Sequence, residues 1–165
     1  MSQTSVFAIN PKLDLVLERV VDVPRELVWK AWTTPAIVTT WFTPTPWKTT
    51  HCEIDLRPGG VFSTVMQSPE GEQFPQAGCY LEVVAKERLV WTSMLGPGYR
   101  PAKKQGPVDL PFTAKIELES KGKGTKYTAT VFHGSEEDCA RHDQMGFRDG
   151  WGKALEQLVA VVRKM

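Results

Sequence analysis

The sequence predicts an α+β domain in which a curved antiparallel β-sheet closes over a C-terminal helix. Three observations carry this. Segments of period two run from Trp47 to His133, an amphipathic helical pattern follows Ser135, and two short helical patterns stand early in the chain. Strands that follow one another and then give way to a helix do not make parallel βαβ units. They make a sheet with its helices on one side.

Taken in order, residues 1–12 read as a lead-in ending near Pro11, and residues 13–165 as one domain. Leu13 to Asp22 alternates Leu13, Leu15 and Leu17 with more polar neighbours and reads as a strand. Pro24 suits a first helical turn, with Asp22 placed to cap it, and Leu27, Val28, Ala31 and Trp32 recur at helical spacing. Thr34-Pro35 restarts a second short helix that runs to about Phe42, where Pro44 and Pro46 end it. Six strands are expected next, over 47–56, 61–67, 77–85, 88–95, 111–120 and 124–133. Gly59-Gly60, Pro69-Glu70-Gly71 and Gly122-Lys123-Gly124 supply turns. In the last pair, Phe112, Ala114, Ile116 and Leu118 oppose Thr113, Lys115, Glu117 and Glu119, while Tyr127, Ala129, Val131 and His133 oppose Lys126, Thr128 and Thr130. That pattern predicts one buried face and one wet face. The Gly-, Pro- and Lys-rich stretch 96–110 breaks the rhythm and reads either as a lid or as a tolerated insertion.

Ser135-Glu-Glu-Asp138 starts the final helix like a capping box, with acidic residues in the first turn and Arg163 and Lys164 in the last. Phe147, Trp151, Ala154, Leu155, Leu158, Val161 and Val162 fall on one stripe. Gly146, Gly150 and Gly152 lower helix propensity: either they mark a break near 146 or they allow close approach to the sheet, and the reading adopted is a continuous helix.

At 165 residues the chain is long enough to bury a core without disulfides or metal. Its net charge of +1 does not point to nucleic acid or an anionic membrane as partner. No run approaches the roughly 20 apolar residues a membrane-crossing helix needs. The N-terminal MSQTSVFAINPK lacks the basic start and apolar run of a secretory signal. Three cysteines without a CxxC pair suit a reduced cytoplasmic protein. A monomer or a homodimer is expected, with Val6, Phe7 and Ile9 as apolar contact surface.

Five runs in order, VVDVPRELVWKAWTTPAIVTTWF (20–42), IDLRPGGVF (54–62), GCYLEVVAKERLVWT (78–92), GTKYTATVFH (124–133) and GWGKALEQLVAVV (150–162), cover most of the chain. Together they resemble the START-like, or SRPBCC (Bet v 1-like), superfamily. Within it the chain looks most like the bacterial proteins related to the activator of the heat-shock protein 90 ATPase. Where that family often has two adjacent tryptophans, this chain has Trp41-Phe42. The resemblance implies a helix-grip fold with an apolar cavity between sheet and long helix, and it implies no particular ligand. Members of the superfamily bind lipids, hormones or polyketides, and some are cyclases or hydrolases.

A concave sheet is wider than one helix can fill, so the remaining space becomes packing or a pocket. The residues expected to line it from the sheet are Phe62, Thr64, Met66, Trp91, Phe112, Ile116, Tyr127, Ala129, Val131 and His133. Trp32 and Trp41 would close its mouth, and Gln144, Phe147 and Trp151 would face it from the helix. Each of these also reads as plain core. If the last helix is unbroken, Glu136, Ala140, Asp143 and Gln144 share a face with Trp151, which predicts a pocket with a polar end.

No HxH, HExxH or CxxC spacing suggests a metal, and no cofactor is expected. There is no GxSxG elbow, and Cys79 reads as buried and inert. Gly59-Gly60 lacks the spacing of a phosphate loop. The acid–base candidates are His133, Tyr127 and Asp143. Three functions follow: binding of a small hydrophobic or amphipathic molecule, a polyketide cyclase- or hydrolase-like enzyme using the same cavity, and a chaperone-activator-like protein-interaction module.

Overall fold

A computed structural model describes residues 8–103 and 110–165. The early elements are β1 (Asp14–Val21), α1 (Arg25–Thr33) and α2 (Pro35–Trp41). The strands β2 (Lys48–Ile54), β3 (Val61–Gln67), β4 (Gln73–Val84) and β5 (Arg88–Thr92) follow, then a small hairpin of β6 (Leu95–Gly96) and β7 (Arg100–Pro101). The chain ends with β8 (Thr113–Lys121), β9 (Gly124–Phe132), α3 (Glu136–Gln144) and α4 (Phe147–Arg163). Seven strands form one sheet in the order β1-β9-β8-β5-β4-β3-β2, antiparallel throughout. Register shifts between Thr49 and His51 and between Tyr80 and Glu82 put one extra residue into β2 and β4, which bends a sheet. The helix-grip architecture expected from the sequence is therefore present.

The concave face is built from alternate residues of neighbouring strands. Leu17, Ala129, Ile116 and Leu89 form one row across β1, β9, β8 and β5, and Val131, Ala114 and Trp91 form the next. All are at most 5% exposed. The stripe read from sequence on α4 packs over them, with Phe147, Ala154, Leu155, Leu158 and Val162 buried.

Two close approaches fix how the layers meet. At Gly124 a Cβ would lie 2.3 Å from the Val21 carbonyl oxygen, so only glycine lets β9 start this close to the end of β1. Nearby, Thr125 Oγ1 donates to the Val23 carbonyl at 2.7 Å. Gln157 of α4 clamps the chain after α2. Its Nε2 donates to the carbonyls of Trp41 and Thr43, and its Oε1 accepts from the Thr45 N–H.

Four expectations need correction. The last helix is not continuous. Gly146 takes φ +90°, ψ +42°, and its N–H bonds the Asp143 carbonyl, which closes α3 before α4 begins. A left-handed glycine ends a helix in this way because no Cβ opposes it. Asp22 does not cap α1. It pairs with Arg163, and the extended Pro24 stands at the cap. The second sheet face is not uniformly wet. Val90, Lys115 and Thr130 lie in one cross-strand row and are buried, with Lys115 bonded to Glu117 and lying over the Phe132 ring. Neighbouring side chains in such a row shield one another. Lastly, β4 begins at Gln73 rather than at 77, extending the hairpin with β3.

Ser135 does cap α3, accepting from the Asp138 N–H at 3.1 Å. Part of the stretch 96–110 lies outside the described residues. The part that is described, Gly96 to Lys103, folds back on the β2–β3 turn, and the Gly98 N–H donates to the Gly59 carbonyl at 2.7 Å. Val6 and Phe7 also lie outside the described residues, and Ile9 is exposed.

Candidate functional site

Two groups of aromatic rings occupy the concave side, and among the described residues no ring contact joins them. The first group surrounds α1 and α2. Trp32 lies 4.9 Å from Trp41, 5.7 Å from Phe42 and 5.2 Å from Trp91, measured between ring centroids. Phe62 then connects Trp91, Phe42 and Tyr80 at 5.1–5.7 Å. Edge-to-face geometry dominates, as the ring quadrupole favours. Trp41 is fixed by its Nε1–H, which donates to the Ala31 carbonyl at 3.0 Å.

Trp32 and Trp41 are thus interior residues, each 2% exposed, and do not stand at a mouth. Most of the sheet residues expected to line a pocket do converge here or beside it. Phe62, Thr64, Trp91, Ile116, Tyr127, Ala129 and Val131 are all buried, and Met66 is half-buried near the end of β3.

Two polar atoms inside this packing stand out. The Tyr80 hydroxyl and the Trp32 indole N–H are buried and have no hydrogen-bond partner. Burial pushes the Tyr80 hydroxyl well above the ordinary tyrosine range, with Cys52 adding to it. Trp32 lies beside the Tyr127 hydroxyl, which burial also pushes up, but not in hydrogen-bond geometry. Each unsatisfied donor costs about 1–3 kcal/mol.

The second group sits where α3, α4 and the end of β9 meet. His142 lies between the rings of Phe112, Phe147, Trp151 and His133, at centroid distances of 5.2–6.3 Å. Its Nδ1 is 2.9 Å from His133 Nε2, and His133 Nδ1 is 2.7 Å from the Leu13 carbonyl oxygen. A carbonyl only accepts, so His133 Nδ1 carries a hydrogen. When the pair is neutral, His133 Nε2 is then the acceptor and His142 Nδ1–H the donor. Burial, and next the positive charge of His133, push His142 down to about 4, with Asp143 acting in the opposite direction.

The polar end expected from Asp143 and Gln144 is not there. Both are exposed, because the break at Gly146 turns α3 so that Cys139 and His142 face inward instead. Nor do the acid–base candidates meet. Tyr127 and His133 are six residues apart along one extended segment, about 20 Å, and Asp143 points to solvent. Sequence reasoning missed Phe42, Tyr80 and His142. Ending the helix at Gly146 and reading 135–144 alone places Cys139 and His142 three apart on one face, which was the available signal.

Among the described residues, no group of three or more metal-ligating side chains is present. An open cleft of about 500 Å³ lies on the outer side, lined by Glu53, Asp55, Arg57, Gly59 and Tyr99 among others. The large exposed apolar side chains include Val20, Leu56, Phe74, Met94 and Met145, from five different segments. Among the described residues, no helix is long and apolar enough to cross a membrane.

A protein from Nitrosomonas europaea has a crystal structure 46% identical in sequence, covering 94% of this chain and 97% of that one, with a TM-score of 0.89. A Rhodobacter sphaeroides protein at 19% identity and TM-score 0.78, covering 93% and 94%, shares the fold. So does an AHSA1-like protein from Aeromonas hydrophila, at 22% identity and TM-score 0.66, covering 92% and 93%. No curated protein matches the chain. The family model described as activator of Hsp90 ATPase homolog 1-like protein matches residues 22–163. With nearly the whole domain matched, the chain belongs to that AHSA1-like family of the SRPBCC superfamily.

Proposed function

We propose that the chain binds a small amphipathic molecule between the sheet and α4, within the ring group of Trp32, Trp41, Phe42, Phe62, Tyr80 and Trp91. One observation carries this reading: the Tyr80 hydroxyl is sealed in the interior with no hydrogen-bond partner, and the Trp32 N–H, beside the Tyr127 hydroxyl, makes no bond of good geometry either. A molecule with an apolar body and an oxygen acceptor would satisfy a donor that the protein leaves orphaned, and would exchange ring–ring for ring–ligand contact. The side chains of Trp32, Trp41, Phe62, Tyr80 and Trp91 are buried, so entry requires the segment after α2 to move away from its Gln157 clamp. The three free cysteines fit a reduced, cytoplasmic setting for such a carrier.

Native mass spectrometry of freshly purified protein tests this. The expected result is a retained small molecule that is reduced in Tyr80→Phe. The variant itself should be as stable as the parent or more so, since it loses only an unsatisfied hydroxyl. Protein that emerges ligand-free, and whose unfolding temperature no apolar compound raises, would overturn the reading.

A further inference from the structure

Tyr80 is fully buried, and its ring lies flat on Phe62, with 5.4 Å between centroids and 19° between planes. Its hydroxyl has no hydrogen-bond partner. The titratable group that acts on it is the Cys52 thiol. Cys52 stands opposite Thr64, two residues along β3 from Phe62, and so on the same side of the sheet as Phe62. Burial pushes that thiol up to about 11, which leaves it uncharged at neutral pH. Among the described residues, no lysine, arginine or histidine acts on the Tyr80 hydroxyl. The rings linked to it through Phe62, which are Phe42, Trp91, Trp32 and Trp41, carry no charge either. A buried anion needs a counter-charge or several hydrogen bonds, and a single hydroxyl does not supply that. A neutral oxygen needs one donor. Tyr80 offers an O–H, and Trp32 an N–H that makes no bond of good geometry. Both give a hydrogen, which suits a carbonyl, a group that only accepts.

We propose that the group recognised at the Tyr80 hydroxyl is the carbonyl oxygen of an uncharged molecule, a ketone or an ester on an apolar body, and that the interior rejects carboxylates. This rests on the proposed interior site and names its ligand class. The Tyr80 O–H donates to the carbonyl, and the aromatic rings pack against the apolar body. A carboxylic acid is accepted only in its protonated form, so at neutral pH ionisation in water removes most of its affinity. Charge, and not size, is what the site discriminates.

Tryptophan fluorescence titrations with 2-nonanone, octanoic acid and butylbenzene test this. The ketone and the acid differ only in the methyl or hydroxyl group on the carbonyl, and butylbenzene has no oxygen. At pH 7 the ketone should bind about a hundredfold more tightly than the acid. From pH 7 to pH 8 the acid should weaken about tenfold further, while the ketone holds its affinity. Tyr80→Phe should weaken the ketone about tenfold and leave butylbenzene unchanged. Cys52 is half-buried and the other two cysteines are buried, so thiol labelling reports on Cys52, and it should slow when the ketone is bound. Three results, each with butylbenzene still bound, would overturn this inference and spare the interior site: equal affinity for ketone and acid at pH 7, a ketone affinity that Tyr80→Phe leaves unchanged, or Cys52 labelling that the ketone does not slow. Binding of none of the three compounds would overturn both.

Discussion

Acidification from pH 7 to 4 tests the buried histidine pair through its effect on folding. At pH 7 His142 is neutral in both the folded and the unfolded chain. Unfolded, it takes a proton near the ordinary value of 6.5. Folded, burial and the charge of His133 hold it down to about 4. Because the folded-state value lies below the unfolded one, the unfolded chain binds more protons between these limits, and stability falls as the pH falls. The interval is 6.5 minus about 4, or about 2.5 pH units, and at about 1.4 kcal/mol per unit it removes about 3 kcal/mol by pH 4. Below pH 4 this contribution is flat. The assay is urea unfolding of the parent and of His142→Phe at pH 7, 5.5 and 4.5. Both proteins keep every carboxylate, so acid effects common to both cancel in the difference. At pH 7 the variant should be less stable by about 1–3 kcal/mol, because His133 Nε2 loses its donor. That gap should close as the pH falls, because the parent pays a protonation penalty that the variant lacks. Parallel stability–pH curves for the two proteins would refute the reasoning.

Three further outcomes are expected. Gln157→Ala removes three hydrogen bonds that tie α4 to residues 41–45 and should cost about 2–3 kcal/mol, read by chemical unfolding, with faster amide exchange in that segment. Gly124→Ala forces a Cβ to 2.3 Å from the Val21 carbonyl, which must shift, so β1 should separate from β9 there, seen as lost amide protection along both strands. Gly146→Ala meets nothing within 4 Å but must hold φ near +90°, and should cost about 1–2 kcal/mol in unfolding free energy without loss of fold.

The sheet strands and the α4 stripe were legible because each repeats at the period of its own geometry. Leu17, Ile116, Ala129 and Leu155 sit at positions where alternation, or helical spacing, leaves only one buried side. The turn glycines 59, 71 and 122 were legible too, and all three have positive φ. The break at Gly146 was not. A glycine inside an amphipathic pattern is compatible with both a weakened helix and a left-handed stop, and only the contacts of the flanking residues choose between them. That one residue decided the site. A continuous helix would have placed Asp143 and Gln144 inward, and the break gives that place to Cys139 and His142.

Sequence by itself therefore determined the architecture, the family and several of the buried aromatic residues, though not Tyr80, since periodicity and residue type act locally along the chain. Tertiary structure decided which of those rings touch, and that His133 meets His142 across nine residues. It also decided which polar atoms go unpartnered. Those outcomes depend on distances between segments far apart in the chain, and no local pattern encodes a 2.9 Å contact between a strand end and a helix face.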